Sequence, residues 1–247
     1  MSKELFELNP DLDASALSEQ FAQNKRVQIR DILTTETASE IRSILAQQTP
    51  WGIATQAGLS TTPGPQAINA QELQTGPGRR KFQTDGAAAQ NAAALGDYAF
   101  IYGRYSLVEA FLGKWDEGGP HDLLLEYLNT QKFLQFISKV TGIEGLVKAD
   151  GHATLFGQNN FLGLHSDLQV DEGWRIAYVL NMAVDDWQPD WGGYLQFFDD
   201  EGDIVQGYRP RFNTLNLFQV PQPHAVSYVA PFAPIGRFAI SGWFRDR

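Results

Sequence analysis

The sequence predicts an α+β protein, and three observations carry that reading. The first half holds amphipathic helical segments with few apolar runs of strand length. After Gly145 the pattern changes to eight short β-rich runs, at 146–156, 161–165, 175–182, 193–198, 204–208, 214–220, 224–229 and 237–244. Gly, Pro and Asp turns separate those runs, which points to an antiparallel sandwich or barrel. No internal repeat is visible. At 247 residues the chain suits one large domain. The expected division is a helix-rich supporting region over 1–145, packed on one outer sheet, and a β core over 146–247.

Composition narrows the function. A net charge of −10 argues against nucleic acid or an anionic membrane surface as partner, because phosphates demand Lys and Arg. The one basic cluster, Gly78-Arg79-Arg80-Lys81, is short. With no cysteine there is no disulfide framework, thiolate nucleophile or Cys-based metal site. The first twenty residues carry acids and no apolar run, and no stretch approaches a membrane span. The expected location is the cytoplasm.

In chain order, 13–23 reads as a short amphipathic helix, with Leu17 and Phe21 four apart. Val27-Gln28-Ile29 alternates as a strand does. Thr34 or Thr37 can cap a second helix, whose inner face would be Ala38, Ile41, Ile44 and Leu45. Residues 55–78 lose all periodicity to Gly, Pro, Thr and Gln, as expected of either a lid or a surface excursion. Residues 85–95 are Ala-rich and helical by propensity, and 100–108 reads as a strand. The region 122–140 presents a strong apolar helical face that Asn129-Thr130 can interrupt, and Gly142 suits its C-terminal cap.

His165-Ser166-Asp167 is the chemical centre of the chain. On a strand, His-X-Asp sets an imidazole and a carboxylate on one face. A second imidazole from a distant strand, His224, would complete two nitrogens and one oxygen around one face of a metal. A His-X-Asp alone is common by chance. Thirteen residues past His224, Arg237 opens an otherwise apolar strand. A buried Arg there needs an anion, either a carboxylate ligand or an ordinary salt bridge. His152 and His121 read as structural or solvated. Asn181, Asn216, Gln219, Trp174 and Trp243 are candidates for lining the pocket.

Five segments in order carry a family resemblance. They are the run from Phe156 to Asp167, then Tyr178-Val179-Leu180-Asn181, Trp191-Gly192-Gly193-Tyr194-Leu195, Phe218 before Pro223-His224, and Arg237 to Phe244. Together they resemble the Fe(II)/2-oxoglutarate-dependent dioxygenases, in particular the prolyl 4-hydroxylase-like branch, from about Leu146 onward. The resemblance implies a double-stranded β-helix, a jelly-roll or cupin-like core. It implies His165, Asp167 and His224 as iron ligands and Arg237 as the grip on the distal carboxylate of 2-oxoglutarate. It implies Fe(II), 2-oxoglutarate and O2 as cofactor and co-substrates, with ascorbate as an accessory reductant. The reaction implied is hydroxylation of an unactivated C–H bond, with release of succinate and CO2. The substrate stays open among peptidyl-proline, a free amino acid and another small molecule, as does the oligomeric state.

Two departures bear on co-substrate binding. Phe156 stands where relatives often carry a Tyr whose hydroxyl reaches the co-substrate, and Ala239 where some carry Ser. Tyr178 is the candidate for a replacement hydroxyl, and Ser241, one strand repeat beyond Ala239, for a second contact. Two other readings compete: a non-catalytic jelly roll that binds a ligand or partner, and a cupin-like metalloenzyme without 2-oxoglutarate. The intact triad argues against the first and Arg237 against the second.

Overall fold

The computed structural model describes residues 6–58 and 66–247. Helix α1 (Ala14–Asn24) starts where the Asp13 carboxylate accepts from the N–H groups of Ser15 and Ala16. Strand β1 (Arg26–Arg30) leads to helix α2 (Thr35–Gln47). Of the two candidate caps Thr34 serves, accepting from the Thr37 N–H.

The described residues of the stretch expected to be unpatterned form regular elements. Strands β2 (Gly52–Ala57) and β3 (Gln66–Ile68) form an antiparallel hairpin, followed by the short helix α3 (Ala70–Leu73) and the long helix α4 (Gly76–Ala94). Helix α4 thus begins nine residues before the Ala-rich segment that signals it. Gly76-Pro77-Gly78 reads as a breaker, yet Pro fits a first helical turn, where its missing N–H is not needed. Gly78 is required because a Cβ there would collide with the Glu72 carbonyl. Pro63, Gly64 and Pro65 of the expected lid lie outside the described residues.

Strand β4 (Ala99–Ser106) is followed by helices α5 (Leu107–Leu112), α6 (Pro120–Leu128) and α7 (Gln131–Thr141). The helical region breaks at Asn129-Thr130, as its sequence allows. Thr130 caps α7, while the Asn129 amide donates to the Leu125 and Ala149 carbonyls and accepts from the Ala149 N–H. Gly142 closes α7 in the left-handed region, at φ 70°.

Nine strands follow: β5 (Lys148–Ala149), β6 (His152–Phe156), β7 (Phe161–His165), β8 (Trp174–Asn181), β9 (Leu195–Phe198), β10 (Ile204–Tyr208), β11 (Thr214–Gln219), β12 (His224–Val226) and β13 (Arg237–Arg245). The run expected at 146–156 therefore divides in two around Asp150-Gly151. All pairings are antiparallel. One continuous order, β1-β11-β8-β13-β6-β4-β7-β12-β9-β10, folds round into a nearly closed barrel. Strands β11, β8, β13 and β6 make one wall and β7, β12, β9 and β10 the other, a double-stranded β-helix. Strand β4 bridges them by pairing with both β6 and β7.

Alternation along the strands sorts the two faces. Ile176, Tyr178 and Leu180 of β8, Leu215 and Leu217 of β11, and Ile240 and Phe244 of β13 point outward. They meet Phe21 of α1, Ile41 and Leu45 of α2, Leu124 and Leu128 of α6, and Phe133, Ile137 and Val140 of α7. Each such side chain contributes about 1.5–3 kcal/mol on burial, so this layer fixes the outer face of the wall. The inner face is left to Ala177, Val179 and Asn181, and to Arg237, Ala239, Ser241 and Trp243. No helix among the described residues is long and apolar enough to cross a membrane.

Candidate active site

His165 closes β7 and His224 opens β12, and the two residues are direct partners in that strand pair. Their rings stand 4.1 Å apart between centroids. Asp167 joins them by a turn rather than by strand alternation, which corrects the sequence expectation. The strand ends at His165, and Asp167 adopts φ 53°, in the left-handed region that Asp tolerates better than most residues. One carboxylate oxygen lies 3.5 Å from His165 Nε2 and the other 3.6 Å from His224 Nε2. One ligand atom from each residue falls within 4.8 Å of the others.

These groups suit a cation. The Nδ1 of His165 lies 2.9 Å from the Gly163 carbonyl and that of His224 lies 2.8 Å from the Gln222 carbonyl. A carbonyl only accepts, so each Nδ1 carries a proton and each Nε2 is turned inward, where in the neutral ring it offers a lone pair. Burial, then the neighbouring His165, pushes His224 down to about 3, which keeps it neutral and able to ligate. Burial raises the Asp167 carboxyl, against His165 and the Trp243 hydrogen bond that lower it. Two lone pairs and a carboxylate converging without a shared proton are unfavourable unless a positive charge sits among them. A divalent metal with nitrogen and oxygen preferences meets that need, with one face left open.

Arg237 is the largest charged side chain of the interior, only 1% exposed. Its Nε donates to Asn181 Oδ1 at 3.0 Å and its Nη1 to the Gly193 carbonyl at 2.9 Å. The guanidinium carbon lies 5.4 Å from the Phe156 ring centroid. Desolvation lowers its pKa to about 10, which leaves it charged at neutral pH. No carboxylate pairs with it among the described residues, so an ordinary salt bridge is not its role here. A buried cation held only by neutral acceptors fits an incoming carboxylate.

Triad and Arg237 line one cavity of about 620 Å³. Its wall includes Tyr98, Tyr102, His152, Thr154, Phe156, Trp174, Phe218, Ser241 and Trp243, and its rim includes Gln56, Leu164 and Leu168. Asp167 and Arg237 are the fully charged side chains among these described residues. A separate cleft of about 700 Å³ near Gly52, Ile68, Trp115 and His121 is larger but holds no comparable convergence of ligands.

The other candidates fall as follows. Ser241 faces the cavity, directly opposite His152 in the β13–β6 pair. Tyr178 borders the cavity, but its ring packs 4.8 Å from Phe244 on the outer side and its hydroxyl donates to the Asp150 carbonyl at 2.8 Å. Asn181 holds Arg237, and Trp243 holds Asp167 through Nε1 at 3.0 Å while stacking on Trp174 at 3.8 Å. Asn216 accepts from the Gln28 amide. His121 is structural, bonded to Thr49 and packed 4.5 Å from Tyr105. His152 is half-buried, stands in the cavity wall and is not one of the converging ligand residues. Tyr98 and Tyr102 also line the cavity, and the period-two spacing of Tyr98, Phe100 and Tyr102 was the available signal.

Comparison with known proteins agrees with this geometry. Residues 151–245 match the model of the 2OG-Fe(II) oxygenase superfamily. The chain is 32% identical over 131 residues to prolyl 3-hydroxylase OGFOD1 of Xenopus laevis, a match covering 50% of this chain and 25% of that protein. The aligned part thus spans about a quarter of the curated relative. A Pseudomonas putida prolyl-4-hydroxylase superposes with TM-score 0.55 at 18% identity, covering 98% of both chains. A 2OG-Fe(II) oxygenase family oxidoreductase from Burkholderia pseudomallei gives 0.59 at 12%, covering 98% of this chain and 94% of that one. A Trichoplax adhaerens prolyl hydroxylase, solved with a hypoxia inducible factor peptide fragment, gives 0.58 at 16%, covering 94% and 89%. At such identities the structural likenesses speak for the fold. Through residues 151–245 and the barrel they build, the chain is similar to the 2OG-Fe(II) oxygenase superfamily, and over 131 residues it resembles a prolyl hydroxylase.

Proposed function

We propose that this protein is an Fe(II)- and 2-oxoglutarate-dependent dioxygenase that hydroxylates an unactivated C–H bond, with a prolyl residue of a peptide as substrate. The observation that carries the reading is the metal-type triad and an anion-seeking Arg237 on the walls of one cavity. His165, Asp167 and His224 would hold the iron, and Arg237 would take the distal carboxylate of 2-oxoglutarate. Bound Fe(II), with 2-oxoglutarate and O2, supplies oxidation of a C–H bond with release of succinate and CO2.

The chain's own residues supply orientation and exclusion of water. The Gly163 and Gln222 carbonyls fix the imidazole tautomers, and Trp243 fixes the carboxylate. Asn181 and Gly193 aim the guanidinium. Once a metal engages Asp167 and a carboxylate engages Arg237, the described cavity wall offers no further full charge. Tyr98, Trp174, Leu164 and Leu168 present aromatic and apolar surface. That supports a neutral reacting group such as a prolyl ring within a peptide over a free amino acid, whose two charges would find no partners. Prolyl hydroxylase relatives support the same choice.

The test is conversion of 2-oxoglutarate to succinate with Fe(II) and proline-containing peptides. His165→Ala, Asp167→Ala and His224→Ala should each abolish it with the fold intact. Wild-type succinate formation in all three variants would place the chemistry elsewhere.

A further inference from the structure

Among the hydroxyls that line the inner wall, that of Tyr102 lies nearest the Phe156–Arg237 pair. Tyr102 on β4 is 9% exposed and lines the cavity, yet its phenolic oxygen has no hydrogen-bond partner among the described residues. Burial pushes the phenol up to about 12, opposed by Arg104 and reinforced by Asp167, so it stays protonated at neutral pH. A hydroxyl that opens on a cavity and has no protein partner is satisfied by what the cavity binds.

Its position narrows the choice of partner. The β4–β6 register that pairs Gly103 with Leu155 sets Tyr102 beside Phe156, and Phe156 is paired with Arg237 on its other side. The Tyr102 and Phe156 rings stack at 5.0 Å with planes 23° apart. Three neighbouring strands thus present Tyr102, Phe156 and Arg237 in one row. The middle residue is a ring with no donor, and Tyr102 is the member of the row with a free O–H. A dianionic 2-oxo acid held at one end by Arg237 and at the other by a metal still has oxygen lone pairs to satisfy along this wall.

We propose that the Tyr102 hydroxyl donates a hydrogen bond to the bound 2-oxo acid, from the strand adjacent to Phe156. This rests on the reading of the site as one that binds 2-oxoglutarate. The experiment is anaerobic calorimetry of 2-oxoglutarate on the Mn(II)-loaded protein. Tyr102→Phe should weaken binding roughly ten- to a hundred-fold, the loss of one hydrogen bond to a charged acceptor. Adding Phe156→Tyr to that variant returns a hydroxyl to the same row and should recover most of the affinity.

If wild-type protein fails to bind 2-oxoglutarate, the functional reading fails and this inference with it. If wild type binds and Tyr102→Phe binds equally well, the functional reading stands and this inference is overturned. The same holds if Tyr102→Phe keeps its 2-oxoglutarate affinity but raises the KM for the peptide, which would assign the hydroxyl to the substrate. A double variant as weak as the single one would mean that the loss reflected packing, and would also overturn it.

Discussion

Trp243 and Asp167 are joined by a hydrogen bond of 3.0 Å between the indole Nε1 and one carboxylate oxygen, across 76 positions of chain. The bond ties the last strand to the turn after β7 and fixes the only anionic member of the triad. Groups that orient a metal ligand typically change metal affinity 10- to 100-fold when removed. Trp243→Phe should therefore weaken Mn(II) binding by about tenfold while the stack on Trp174 is kept. Calorimetric titration with Mn(II) checks it, and an unchanged dissociation constant would remove Trp243 from the account.

Arg237 should act on the co-substrate and leave the metal alone. Truncating one partner of a buried charged pair costs about 2–4 kcal/mol, roughly a 30- to 800-fold weakening. Arg237→Ala should raise the 2-oxoglutarate dissociation constant by that much, with Mn(II) affinity within a few-fold of wild type. Equal 2-oxoglutarate affinity in the two proteins would contradict the assignment.

Tyr178 provides a contrast. Its hydroxyl is committed to the Asp150 carbonyl inside the layer shared by sheet and helices. Tyr178→Phe should lower unfolding free energy by about 1 kcal/mol and leave 2-oxoglutarate affinity unchanged. Denaturant unfolding and calorimetry together separate this structural role from a co-substrate contact.

His152 should govern part of the acid sensitivity. Its pKa falls from 6.5 to about 3 in the folded chain, through burial first and then the Arg104 charge. The unfolded chain therefore binds a proton that the folded one refuses, and stability present above pH 6.5 is lost as pH falls toward 3. The slope from this one group is on the order of 1 kcal/mol per pH unit. His152→Phe should flatten the fall in unfolding free energy between pH 6.5 and 5, measured by denaturant titration without metal. An unaltered slope would mean that His152 titrates normally in the folded state.

How far the sequence carried these conclusions depends on how local each determinant is. His165, His224 and Arg237 were legible because each falls at a strand end marked by turn residues. Asn129 and Gly142 were legible because caps and breaks are written in single residues. Helix α4 was only half legible: its first turn is Gly76-Pro77-Gly78, and what makes Gly78 helical is the close approach of Glu72, a contact that no propensity encodes. Asp167 was expected on the strand face, and its backbone instead turns with positive φ. The inward placement of Tyr102 and His152, and the outward placement of Tyr178, follow from the register of β4, β6 and β8 with their neighbours. A shift of one residue would reverse every one of them, and that register is set by distant chain.

The central claim is that one cavity holds a metal on His165, Asp167 and His224 and a 2-oxo acid against Arg237. Its most direct test is anaerobic addition of Fe(II) and then 2-oxoglutarate to the purified protein, read by visible absorption. The expected result is a weak metal-to-ligand charge-transfer band that appears only when both are present. It should saturate at one equivalent of iron and be lost in Asp167→Ala. A wild-type protein that binds Fe(II) but develops no band at saturating 2-oxoglutarate would contradict the account.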